Sequence, residues 1–247
     1  MFNFFVDASC KDDDCFFITG SDFNHIKNVL RMKAGDTFSV NCDSKNYLCE
    51  LVEYKDNSVC AKIKQVDFLL CESPIKIFLF QGLPKSDKME FIIQKAVELG
   101  AYSIVPTEME HCVVKLDDKK KKQKVERWQL ISESAAKQSK RNIIPKIQSV
   151  HSFSSALQLA KTLDFILVPY ENEQGILSTK AALPLIKKDM SIGIFIGAEG
   201  GFSEKEIALL KEIGGKTISL GKRILRTETA AITATALCML YAEMELD

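Results

Sequence analysis

The sequence predicts an α/β protein in two parts: a small β-barrel over residues 1–72 and a parallel sheet with helices on both faces over residues 73–247. Three observations predict it. Short apolar stretches separated by turn signals crowd the first 70 residues, as in a small all-β unit. Glu72-Ser73-Pro74 then breaks the pattern. Beyond it, apolar strands alternate with amphipathic helices, as a parallel sheet buried on both faces requires. The 247 residues are 46% hydrophobic and 27% charged, values that exclude a disordered or collagen-like chain.

The elements follow in order. Strands are expected at residues 16–19, 37–41, 47–52 and 59–65, with turns at 34–36, 42–46 and 55–58. A helix is expected near 22–31, where apolar residues fall at the helical spacing 23, 26, 29 and 30. In the second part, strands are expected at 75–81, 102–106, 163–168, 191–196 and 216–220. Helices are expected at 87–99, 125–140, 204–213 and 227–245. Gly100 closes the first of these, and Ser203 with Glu206 forms a capping box that opens the third.

Charge is balanced only globally, at 33 basic and 33 acidic residues. Residues 73–150 hold 15 basic and 9 acidic residues, a local +6 that suits a polyanion. The densest part is Lys119-Lys120-Lys121-Lys122-Gln123-Lys124, expected as a solvated loop and helix start. Eight cysteines show no C-x-x-C pair, and the histidines at 25, 111 and 151 are far apart, so no metal site is expected. The first residues lack a positive stretch, and no apolar run reaches the length of a membrane helix. The expectation is a reduced, cytoplasmic protein without membrane contact.

Two glycine-bearing turns carry the functional signal. In Ile194-Phe-Ile-Gly-Ala-Glu-Gly-Gly-Phe-Ser-Glu-Lys-Glu206, a strand enters a glycine turn and a capped helix follows. The spacing is neither a dinucleotide fingerprint nor a phosphate loop, and Glu199 would repel a pyrophosphate. A cationic or zwitterionic ligand tolerates that carboxylate better. In Leu220-Gly-Lys-Arg-Ile-Leu-Arg-Thr-Glu-Thr-Ala230, a strand again ends at glycine, and three cations precede a helix with Thr227 as the expected cap. Ligands of open α/β sheets bind beyond the carboxyl ends of the strands, so two such loops point to one pocket.

With His25-Ile-Lys-Asn-Val-Leu-Arg-Met, Lys85-Ser-Asp-Lys-Met-Glu-Phe-Ile-Ile-Gln-Lys-Ala-Val-Glu-Leu-Gly and Gln138-Ser-Lys-Arg-Asn-Ile-Ile-Pro, these loops make five ordered motifs. Together they resemble the ribosomal RNA small subunit methyltransferase E family of the SPOUT superfamily. The resemblance implies a PUA-like RNA-binding barrel, a SPOUT domain with a deep trefoil knot, and a homodimer. It implies transfer of a methyl group from S-adenosylmethionine (SAM) to N3 of a uridine in 16S ribosomal RNA of the small ribosomal subunit. Where that family carries Gly-Pro-Glu-Gly-Gly, this chain has Ala198 in place of the proline.

The residues implied to hold SAM are Gly197, Glu199, Gly200, Gly201, Leu220, Gly221, Leu225, Arg226, Thr229 and Ala230, with the turn Pro169-Tyr170-Glu171. Arg226 and Arg141 are the candidates for stabilising charge on the pyrimidine, and Glu228 is the candidate proton acceptor or a helix-dipole residue. His25, Arg31, Lys33, Lys85, Gln138, Lys140 and Arg141 are the candidate RNA contacts. Trp128 is expected in the core. The rival readings are a non-catalytic RNA-binding or assembly protein and a SPOUT enzyme acting on another RNA atom. A dehydrogenase is disfavoured by the missing fingerprint.

Overall fold

The structure is a computed structural model that describes every residue except Leu70, Gln174 and Asp247. The chain forms two compact units: Met1–Glu72 with Ala136–Ile143, and Ser73–Ala135 with Ile144–Asp247.

The first unit is a six-stranded sheet. Its strands are β1 (Asn3–Phe5), β2 (Lys11–Asp12), β3 (Cys15–Thr19), β4 (Thr37–Cys42), β5 (Lys45–Lys55) and β6 (Ser58–Val66), in the spatial order β1-β4-β5-β6-β3-β2. Only the β1–β4 pair is parallel. Phe16, Ile18, Phe38 and Leu51 alternate inward and form the core, each at most 1% exposed. Alternation with period two places them on one face of the sheet. Between β3 and β4 lies α1 (Gly20–Asn24), which runs into a π-helical turn at His25–Val29. Phe23 and Ile26 are buried as the spacing predicts, but Val29 is 69% exposed. The wider π turn rotates Val29 off the apolar face.

The sequence pattern assigns residues 136–143 to the second part, yet they pack with the first. Arg141 explains why. Its guanidinium is only 3% exposed and donates through Nε to both oxygens of Glu72, at 3.0 and 3.1 Å. Its carbonyl accepts from the side chains of Asn3 and Asn41 at 3.2 and 3.0 Å. Asn142 adds a backbone N–H to Glu72 at 2.8 Å and a side-chain amide to the Leu69 carbonyl at 2.8 Å. Buried polar groups need such partners, and this cluster supplies them from three separate stretches of chain.

The second unit is built on a parallel sheet of β7 (Lys76–Gly82), β8 (Ser103–Glu108), β9 (Lys146–Ile147), β10 (His151–Ser152), β11 (Phe165–Pro169), β12 (Ser191–Ile196) and β13 (Lys216–Ile218). The order is β10-β8-β7-β12-β11-β13, with β9 beside β8. The central strands β7 and β12 are near-continuous apolar runs, as burial on both faces demands. Phe80 and Phe195 are register partners with rings stacked 4.2 Å apart, which helps fix the pairing. Gly193 leaves room for this packing: a Cβ there would lie 3.1 Å from Leu163 and 3.2 Å from the Phe80 ring.

The helices are α2 (Lys88–Glu98), α3 (Asp118–Gln138), α4 (Phe153–Ala160), α5 (Leu177–Ala182), α6 (Glu204–Glu212) and α7 (Thr227–Glu245). α3 starts seven residues before the expected 125, so the lysine run forms its first turns. Asp117 caps the Lys120 N–H at 2.8 Å, and Asp117 and Asp118 offset the helix dipole. Trp128 is buried at 4% exposure. The short α4 and α5 lie in stretches where no helix was predicted. No helix among the described residues is long and apolar enough to cross a membrane.

Candidate active site

Strands β12, β11 and β13 lie side by side, and the loops leaving their carboxyl ends line a single cleft. The cavity is about 590 Å³, in the size range of small-molecule sites. The β12 loop contributes Gly197, Glu199, Gly200 and Gly201, the β11 end Pro169, Tyr170 and Glu171, and the β13 loop Leu220, Gly221, Leu225, Arg226 and Ala230. The two glycine-bearing loops therefore meet, as their motifs predict. Of the residues proposed to hold the cofactor, Thr229 is the exception: it points out of α7 into solvent and is absent from the lining.

Each loop is fixed by identifiable contacts. Ser203 caps α6 in the expected box, its hydroxyl accepting the Glu206 N–H while Glu206 accepts the Ser203 N–H at 2.9 Å. The Gly201 N–H donates to the Ala198 carbonyl at 3.0 Å and closes a tight turn. Gly201 has φ +66°, and a Cβ there would sit 2.7 Å from a Glu171 carboxylate oxygen. Gly200 is glycine for a different reason: its missing Cβ is where His111 packs, 2.7 Å from the His111 Cβ.

Thr227 does not cap α7. Arg226 occupies the cap position without a side-chain hydrogen bond, and Thr227 is the first helical residue. Its hydroxyl donates to the Gly197 carbonyl at 2.6 Å and accepts from the Gln81 amide at 2.9 Å. The end of β7, the start of α7 and the glycine loop are thus joined by one buried relay.

The electrostatics are asymmetric. Lys88, at the start of α2, lies 3.0 Å from Glu199 and 3.5 Å from Glu228. The hydrogen bond to Glu199 raises the Lys88 pKa above its ordinary value. Burial alone would raise the Glu199 carboxyl, but the Lys85 N–H at 3.0 Å and the Lys88 ammonium outweigh it and hold it below the usual range. Glu199 is therefore a charged carboxylate at the cleft. Glu228 does not line the cleft, and its Oε2 is enclosed facing Lys88. In contrast, the side chains of Lys222, Arg223 and Arg226 make no ion pair or hydrogen bond among the described residues, and all three line the cleft.

Arg141 belongs to the first unit, is committed to Glu72, and is not a lining residue. That corrects its candidacy both as the charge-stabilising arginine and as an RNA contact: a guanidinium enclosed by its own carboxylate has no free donor face for a base or phosphate. His25, Arg31, Lys33, Gln138 and Lys140 are exposed on the first unit, and Lys85 is exposed on the second. His25 packs edge-on to Phe4 with ring centroids 6.1 Å apart. Sequence reasoning missed Lys88 and His111 as site residues, because each comes from another strand-end segment. His111 Nδ1 lies 2.9 Å from the Gly200 carbonyl oxygen. No cluster of metal-ligating side chains occurs among the described residues.

A family model for the RNA methyltransferase domain matches residues 71–239, and one for the RNA methyltransferase PUA domain matches residues 18–64. The chain is 42% identical over 234 residues to the ribosomal RNA small subunit methyltransferase E of Bacillus subtilis (strain 168), covering 93% of this chain and 91% of that protein. It is 35% identical to the protein of that name from Mesomycoplasma hyopneumoniae (strain 232), covering 97% and 99%. A Legionella pneumophila methyltransferase solved with bound SAM superposes with a TM-score of 0.81 at 30% identity, covering 97% of each chain. The Neisseria gonorrhoeae ribosomal RNA small subunit methyltransferase E bound to SAM gives a TM-score of 0.79 at 30% identity, covering 96% of this chain and 95% of that one. On its two matched domains and its near full-length relatives, the chain belongs to the ribosomal RNA small subunit methyltransferase E family.

Proposed function

We propose that this protein transfers a methyl group from SAM to N3 of a uridine in 16S ribosomal RNA of the small subunit, acting in the cytoplasm as a homodimer. The observation that carries the reading is the cleft itself, where three adjacent strand ends combine apolar walls, the Glu199 carboxylate and cations that have no side-chain partner among the described residues. The residues present fit the methyl donor. Ile196, Phe202, Leu220 and Leu225 offer apolar surface for an adenosine, and the glycine loop brings open backbone close. The ionised Glu199 suits a sulfonium and opposes a nucleotide phosphate. When bound, SAM supplies an electrophilic methyl group on a positively charged sulfur.

Uridine N3 carries a proton at neutral pH and gains nucleophilicity as it loses it. The negative charge then spreads over the pyrimidine carbonyls. Arg226, exposed at the cleft with no side-chain partner among the described residues, is the group to stabilise that charge. Glu228 lies 3.5 Å from Lys88 and outside the cleft lining, so it is assigned to holding Lys88 rather than to accepting the proton. The lysines of α3 and the exposed His25, Arg31, Lys33, Lys85, Gln138 and Lys140 are assigned to the RNA backbone.

The same reading includes closure of the six-stranded sheet into a PUA-like barrel and a deep trefoil knot at the cleft loops. Phe91, Leu240 and Met244, exposed on the paired helices α2 and α7, support the dimer. The test is incubation of the protein with SAM and either deproteinised 16S RNA or assembled small subunits, followed by nucleoside mass spectrometry. Formation of 3-methyluridine is expected; a different methylated nucleoside, or none with either substrate, would overturn the reading.

A further inference from the structure

The segment after β8 contacts the glycine loop and the helix that follows it, at two points that the motifs do not indicate. The Glu110 N–H donates to the buried Glu206 carboxylate at 2.8 Å, at the foot of α6. His111 places its Cβ in the space a Gly200 side chain would fill, and its Nδ1 lies 2.9 Å from the Gly200 carbonyl oxygen. A carbonyl oxygen only accepts, so Nδ1 carries the hydrogen and donates it. The hydrogen bond exists in both the neutral and the protonated ring, because Nδ1 bears a proton in each. Gly200 lies between Glu199, held from one side by Lys88, and Gly201, covered by Glu171. Of these restraints, His111 alone grips a loop carbonyl from the β8 segment.

We propose that His111 is a positioning residue for the methyl donor: it holds the Gly197–Gly201 turn in its binding shape by gripping the Gly200 carbonyl from outside the cleft. The inference rests on the reading that the cleft takes SAM. His111 touches neither donor nor RNA in this role, so its removal loosens binding without disabling the chemical step. Its contribution belongs to pre-organisation: a loop already ordered gives up less conformational freedom when the ligand arrives.

The test is calorimetric binding of SAM to the full-length protein and to His111→Ala, His111→Asn and His111→Gln, with turnover at saturating SAM in parallel. An asparagine amide can donate from near the imidazole Nδ1 position, whereas a glutamine amide sits farther out. Loss of one such hydrogen bond predicts about a tenfold rise in Kd for His111→Ala, with Asn restoring Kd to within about twofold and Gln failing to do so. The kcat at saturation stays near the parent value in all three. A parent-like Kd for His111→Ala overturns the proposal, and so does failure of Asn to restore binding. A fall in kcat with unchanged Kd overturns it in favour of direct participation. If the parent protein itself shows no SAM binding, the underlying cofactor reading has failed instead.

Discussion

The Arg141 cluster and the Arg226 loop are both polar regions built around a guanidinium, and they differ in one respect. Around Arg141, each charge meets a partner from the chain: Glu72 takes the guanidinium, and Asn3 and Asn41 take the carbonyl. Around Arg226, the cations Lys222, Arg223 and Arg226 face a cavity with no side-chain partner among the described residues. The first arrangement is closed and holds its unit together. The second is open and has donors to spare for a ligand. By sequence alone both arginines are equal candidates for chemistry; only the partner inventory separates them.

That contrast can be broken or sharpened by measurement. Arg141→Ala leaves the Glu72 carboxylate partly buried without its ion, so unfolding in denaturant should show a loss of about 3–5 kcal/mol. Arg226→Ala should leave stability within about 0.5 kcal/mol, as for an exposed side chain. Its methyl transfer should fall about 10²–10³-fold, the usual cost of removing one charge-stabilising donor. If Arg141→Ala folds with parent stability but cannot methylate, the division into closed and open regions is wrong. Simultaneous replacement of Lys119, Lys122 and Lys124 by alanine should weaken RNA binding about tenfold and reduce its logarithmic salt slope by about 2. An unchanged slope assigns those lysines to solvation alone.

The smallest effect concerns pH. The Glu199 carboxyl is depressed below 4.5, so its contribution is complete above that value and is lost as pH falls through its folded pKa. The Lys88 ammonium is raised above 10.5, so its contribution is complete below that value and is lost as pH rises through its folded pKa. SAM affinity should therefore be flat on the Lys88–Glu199 account across neutral pH, declining in acid below about 4.5 and again in strong base above about 10.5. Calorimetry over that range in the parent and in Glu199→Gln checks it: the variant should show no acid decline of this origin.

The legible parts were those whose signal is local. Ser203 and Glu206 announce α6 within four residues, and the two glycine turns announce the cleft because each sits between a strand and a helix start. What was not legible depends on distant partners. Arg141 reads as a basic loop residue until Glu72, 69 positions away, closes on it. Lys88 reads as the polar face of a helix until two carboxylates from other loops meet it, and His111 reads as an isolated histidine until Gly200 leaves room for it. Val29 fits the apolar spacing of an α-helix, and only the π turn at His25–Val29 removes it from the core. The strand Asn3–Phe5 is too short to announce itself and exists by pairing with β4.

The recruitment of Ala136–Ile143 into the amino-terminal unit has a consequence for how the protein is made. Domains near the start of a chain ordinarily finish first as the polypeptide emerges from the ribosome. Here Glu72 and the Asn3–Asn41 pair lack their counterpart until residues 136–143 have been translated. A fragment cut at the apparent boundary would carry the whole six-stranded sheet and still lack the closing piece of its own unit.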